Sequence, residues 1–116
     1  MSTYPTEFLA LIDRLNQELD QTEQEATEGL NLARQNLSRF PDNSIIVQFF
    51  AFFNNILLFI DNSRQRIQNI VARLSTASVT AEETQETGEN LATLLGRVLE
   101  AKIAVSRVMA RLENFS

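Results

Sequence analysis

Residues 45–60 read IIVQFFAFFNNILLFI. Within this stretch and beyond it, Ile46, Phe49, Phe53, Ile56, Ile60, Ser63, Ile67, Ile70 and Leu74 alternate by three and four. That spacing is a helical seam, the a and d positions of a heptad with Ile46 at a; a half-buried strand would alternate every second residue instead. The spacing predicts a helix from about Ile45 to Leu74, with Asp42, Asn43 and Ser44 as N-cap candidates.

The same rhythm appears on both sides of this segment. Upstream, Pro5 suits a first helical turn, and no breaker follows until Pro41 pushes Phe40 out of the helical region. Helix one is therefore expected over about 6–39. Its apolar positions Phe8, Ile12, Leu15 and Leu19 weaken through Thr22, Ala26 and Gly29 and resume one position out of phase as Leu30, Ala33, Leu37 and Phe40, a stutter in a coiled coil. Downstream, the Ser/Thr-rich stretch Ser75 to Thr80 ends helix two, and Thr80-Ala-Glu-Glu83 reads as a capping box. Helix three is expected over about 81–114, with the seam Gly88, Leu91, Leu95, Val98, Lys102, Val105, Met109 and Leu112 broadened by Leu94, Leu99, Ile103 and Val108. Three helices of similar length joined by short links fold back on one another. The expected fold is all-α: an up-down-up antiparallel three-helix bundle of long, coiled-coil-like helices, forming a single domain over residues 1–116.

Helix two carries more apolar surface than a three-helix core uses. Beyond the seam, Phe50 and Leu57 stand at e, Phe52 and Phe59 at g, and Val47 and Leu58 at b and f. Only position c stays polar, as Gln48, Asn55, Asn62 and Asn69. A helix apolar around most of its circumference must be covered around most of it, and exposed phenylalanines in such numbers exceed the scattered apolar residues of a monomer surface. A homodimer is expected, with Val47, Phe50, Phe52, Leu57, Leu58 and Phe59 as the interface; another protein is the alternative cover.

Composition removes much chemistry. The 116 residues include no His and no Cys, which excludes His-dependent nucleophile systems, the usual zinc and haem ligand sets, disulfides and redox thiols. The first eight residues lack the basic region and cleavage site of a secretory signal, so a cytoplasmic protein is expected. The apolar run 45–60 is shorter than the roughly 20 residues a bilayer span needs and is interrupted by Gln48, Asn54 and Asn55. With 10 basic against 15 acidic side chains, net −5, neither a nucleic-acid nor a membrane partner is expected. Antiparallel folding nevertheless gathers Phe40, Phe49 to Phe53 and Phe115 at one end, together with Arg34, Arg39, Arg107 and Arg111. Helix-dipole complementarity accounts for the arginines at helix C-termini; an arginine–phenylalanine end could also receive an acidic partner.

Two features invite an enzymatic reading. Glu82, Glu83 and Glu86 spell EExxE, which resembles the first half of the metal site in all-helical MazG-type nucleotide pyrophosphatases. That resemblance would imply a magnesium-dependent nucleotide hydrolase, but no downstream acid has an aspartate three residues on to complete the cage. Capping and the helix dipole account for these glutamates. Lys102, the only lysine, stands on a seam, where lysines set register or reach to the edge. No catalytic residue, metal or cofactor is assigned. The expected function is a non-enzymatic helical interaction module, an adaptor or accessory subunit; the alternative is a binder of a small apolar ligand among Phe49, Phe53, Met109 and Phe115.

Overall fold

The structure, a computed structural model, describes residues 6–76 and 79–115. It consists of α1 (Thr6–Arg39), α2 (Ser44–Thr76) and α3 (Ala81–Glu113), of 34, 33 and 33 residues. The helices form a rod of 58 × 19 × 18 Å, whose length is close to the roughly 50 Å a 33-residue helix rises. The three-helix bundle expected from the seams is the fold observed. Helix α1 packs against both neighbours, while α2 and α3 touch each other more sparsely. The expected role of Pro5 and part of the Ser75–Thr80 link lie outside the described residues.

Local chemistry sets the helix ends. α1 stops at Arg39, directly before the pre-proline Phe40. Of the three cap candidates before α2, Asn43 does the capping: its Oδ1 accepts from the amides of Ile45 and Ile46 at 3.0 and 3.2 Å. At α3 the Thr80 hydroxyl accepts from the Glu83 amide at 3.1 Å. The Glu83 carboxylate accepts from Arg73 of α2 at 3.3 Å, tying the second link together from the side.

The seam of α1 differs from the expected one. Phe8, Ile12, Leu15, Leu19, Thr22, Ala26, Gly29, Ala33 and Asn36 are all buried, an unbroken rhythm of four and three with no stutter. Leu30 and Leu37 flank the seam half-buried, and Phe40 is exposed. The cause is size and polarity at two positions. Gly29 sits under the ring of the fully buried Phe53, and Asn36 satisfies its amide on the Leu32 carbonyl at 3.0 Å, so neither seam position holds an apolar side chain. In α3, Leu94 rather than Leu95 is the buried seam residue, and Ile103 lies in solvent.

The interior divides into two apolar clusters. One gathers Phe8, Leu15, Leu19, Ile60, Ile67, Leu91 and Val98; the other gathers Ala26, Ala33, Ile46, Phe49, Phe53, Val105 and Leu112. Between them the seam is small and polar. Thr22 and Ser63 are buried and return their hydroxyls to the Glu18 and Phe59 carbonyls of their own helices. Around this waist α1 ties both partners: Arg64 of α2 pairs with Asp20 and Glu23 at 2.8 and 2.6 Å, and Lys102 of α3 pairs with Glu18 at 2.9 Å.

Candidate interaction surface

The first half of α2, residues 44–60, carries no charged side chain. The bundle covers it unevenly. Ile46, Phe49, Phe53 and Ile60 are buried, whereas Val47 is 47% and Leu58 59% exposed. Phe50, Phe52, Leu57 and Phe59 are half-buried and pack on the two clusters of their own chain. Four of the six residues expected at an interface thus already have part of their surface against α1 or α3.

The six do not form one patch. Position e faces α1: Arg64 at e reaches Asp20 and Glu23 there, and the Arg34 guanidinium lies 5.9 Å from the centre of the Phe50 ring at e. Position g faces α3: Arg73 at g meets Glu83, and Phe59 at g lines a small cleft with Leu94 and Arg97. Val47, Phe50, Leu57 and Leu58 follow one another at i, i+3, i+10 and i+11, a stripe along the outer α1 side of α2. Phe52 and Phe59 stand on the opposite edge, over the sparser α2–α3 contact. Phe52 rests edge-to-face on Phe53, with centroids 5.3 Å apart and planes at 71°.

At the α1–α2 turn end, rings and guanidinium groups interleave. Phe49 and Phe115 meet edge-to-face at 6.0 Å and 75°, and Arg111 lies 5.6 Å from the centre of the Phe49 ring. Antiparallel folding brings these residues to one end of the rod; the ring–guanidinium pairs depend on helix rotation, which spacing alone does not fix. Phe53, expected among the walls of a ligand site, is fully enclosed, and Phe49 is buried beneath Phe115. Met109 faces a groove of about 640 Å³ whose other walls include Gln21, Glu25, Glu28 and Glu113.

The electrostatics of the waist are local. The Arg64 hydrogen bonds hold the Glu23 carboxyl below its ordinary value, against a smaller desolvation effect. The same bonds push the Arg64 guanidinium up, so both stay ionised across the physiological range. Lys102 leaves the seam through its stem and puts Nζ on Glu18 at 2.9 Å and Gln21 at 3.1 Å. Glu83 of EExxE faces Arg73, and among the described residues no three carboxylates gather as a metal cage. By length and composition, α2 is also apolar enough to cross a membrane, with 22% of its most apolar window buried within the bundle. Compared with protein-family models, with curated proteins and with solved structures, the chain matches none.

Proposed function

We propose that this chain is a non-enzymatic helical interaction module of the cytoplasm, an adaptor or accessory subunit that pairs with a second copy through the first half of α2. The observation that carries the reading is the stripe Val47, Phe50, Leu57 and Leu58, in which two large aliphatic side chains stand about half in water beside two half-covered ones on a segment without charge. A symmetric pair would lay two such stripes against each other, each residue meeting its counterpart or a neighbour. Apolar area of this kind is what obligate pairs bury.

Light scattering over a concentration series tests it, with Val47→Glu and Leu58→Glu as variants. Both positions face outward, so the changes leave the core intact, and helicity by circular dichroism checks this. A mass of twice 13.2 kDa that falls to the single-chain value in the double variant supports the reading. A single-chain mass for the unaltered protein at all concentrations, or a dimer indifferent to both substitutions, overturns it.

A further inference from the structure

Besides the seam that faces the core, α2 carries a second one. Val47, Ala51, Asn54, Leu58, Asp61 and Gln65 follow one another by four and three, and all are exposed. The two edges of this seam differ. On the α1 edge stand Phe50 and Leu57, half-buried; on the other stand the exposed amides Gln48, Asn55, Asn62 and Asn69. When two copies meet on the seam, the direction of the second helix decides which edges touch.

A two-fold axis can run along the paired helices or across them. Along them, it gives a parallel pair and turns the α1 edge of one copy onto the amide edge of the other, so that Phe50 and Leu57 meet Gln48 and Asn55. Across them, it gives an antiparallel pair and keeps like edge on like edge. Centred between Ala51 and Asn54, the crossing axis sets Val47 level with the second copy's Leu58. Phe50 then lies two residues, about 3 Å, from the level of the second copy's Leu57 on the same edge, and amides meet amides. Only this arrangement buries the half-covered apolar edge against apolar area and leaves the amides together.

Charge selects the same direction. In a parallel pair Asp61 faces its own counterpart across the seam, a repulsion between like charges, and among the described residues it has no ion-pair partner to offset this. In the antiparallel pair it comes level with the second copy's Ser44, the first residue of α2, where the helix dipole favours a carboxylate. The rods as wholes agree. Residues 25–61 and 100–115, level with the apolar part of the seam, hold 5 basic and 6 acidic side chains, −1, and the other residues hold 5 and 9, −4. Parallel rods would lie side by side over their full 58 Å, with the two −4 halves together. Antiparallel rods overlap through their near-neutral halves and point the acidic halves apart. Asn54 accepts both directions, lying level with its counterpart in one and about 5 Å along the axis from it in the other.

We infer that the second copy binds antiparallel, about a two-fold axis between Ala51 and Asn54, and that the assembly is a rod with two identical ends. The α1–α2 turns flank its middle. The Arg73–Glu83 contacts beside the α2–α3 links stand about 60 Å apart along it, so an adaptor of this shape presents its α2–α3 end twice, in opposite directions. The inference rests on pairing through α2 and adds the direction, the register and the two-ended form.

Pulsed EPR tests it. The chain has no cysteine, so a spin label on Asn62→Cys or on Asn69→Cys, both exposed on the amide edge, reports one distance per pair. Antiparallel pairing predicts about 30 Å at position 62 and about 50 Å at position 69, twice the rise of each from the axis. Parallel pairing predicts the same short distance at both, about 20 Å or less. Leu58→Glu should abolish both distances while circular dichroism shows unchanged helicity. Growth of about 20 Å between the two positions supports the inference. Equal short distances overturn it and leave pairing through α2 standing, whereas a single-chain mass with no distance between copies overturns both. Long distances that survive Leu58→Glu also overturn it, because the contact is then not this seam.

Discussion

Gly29→Ala is the sharpest test of how this core is built. A Cβ at position 29 would lie 2.3, 2.5 and 2.7 Å from Cζ, Cε1 and Cε2 of Phe53, where carbon atoms rest at about 3.5 to 4.0 Å. The ring would have to retreat by more than about 1 Å, yet it is fully enclosed and has Phe52 packed on it at 5.3 Å. Overpacking of this kind costs about 1 to 3 kcal/mol, and three overlapping atoms place it at the upper end. Alanine regains about 1 kcal/mol of helix propensity over glycine. The net expectation is a loss of about 2 kcal/mol, or about 10 °C in Tm for a domain of this size. Gly96→Ala is the matched control, since nothing lies within 4 Å of its Cβ; it should gain up to about 1 kcal/mol. Phe53→Leu in the Gly29→Ala background should recover part of the loss, with a coupling of about 1 kcal/mol or more. Urea and thermal unfolding at one fixed protein concentration, followed by circular dichroism, measure all five chains, Phe53→Leu alone included because the coupling is the difference between the double variant and the sum of the two singles. A Gly29→Ala protein as stable as Gly96→Ala would show that the ring is not wedged on the α1 backbone and would refute the packing argument.

Three further outcomes follow from the waist and the seam. Lys102→Met should cost about 1 to 2 kcal/mol, because it strands the Glu18 carboxylate, whose side chain is only 15% exposed; adding Glu18→Gln should return most of it, and a double variant no better than the single would contradict the pairing. Asn36→Leu should stabilise by about 1 kcal/mol, since a buried seam position that only satisfies its own helix gains apolar contact; a lower urea midpoint would count against it. Glu23 has its folded pKa lowered by Arg64, so its contribution is present above the unfolded carboxyl value near 4.3 and fades as pH falls through the folded value. With 43% of the Glu23 side chain exposed, screening limits this to a few tenths of a kcal/mol. Urea unfolding between pH 6 and 3 should show a slightly shallower acid loss in Arg64→Gln, and identical slopes would remove the bond from the energetics.

Much of the architecture is legible because a three–four rhythm, a proline and an N-cap each act locally. The seam of α2 is found as spaced from Ile46 to Leu74, and the ends of α1 and α3 fall within a residue of those expected. The stutter in α1 fails for an instructive reason. Ranking residues by hydrophobicity promotes Leu30 and Leu37 over Gly29 and Asn36, whereas packing selects the glycine because only a bare backbone admits Phe53. The same reasoning places Ile103 in the stripe, although the turn of α3 that buries Val98 and Val105 carries it into water.

The excess of apolar residues in α2 is also a property of the sequence, but where each one faces is not. Heptad letters state how far a side chain lies from the seam, and the neighbouring helix decides whether that angle is covered. Phe50 and Phe59 find partial cover on opposite edges, while Val47 and Leu58 find little.

By itself the sequence determined what local periodicity and chain punctuation can encode: three long helices, their ends and their antiparallel order. Tertiary structure alone decided the quantities that depend on helix rotation and close approach. These are the glycine under Phe53, the division of the core at Thr22 and Ser63, the guanidinium groups over Phe49 and Phe50, and the cap on which Phe40, Ile45 and Phe115 stand in solvent. A rotation of one helix by a fraction of a turn leaves every sequence spacing unchanged and alters all four.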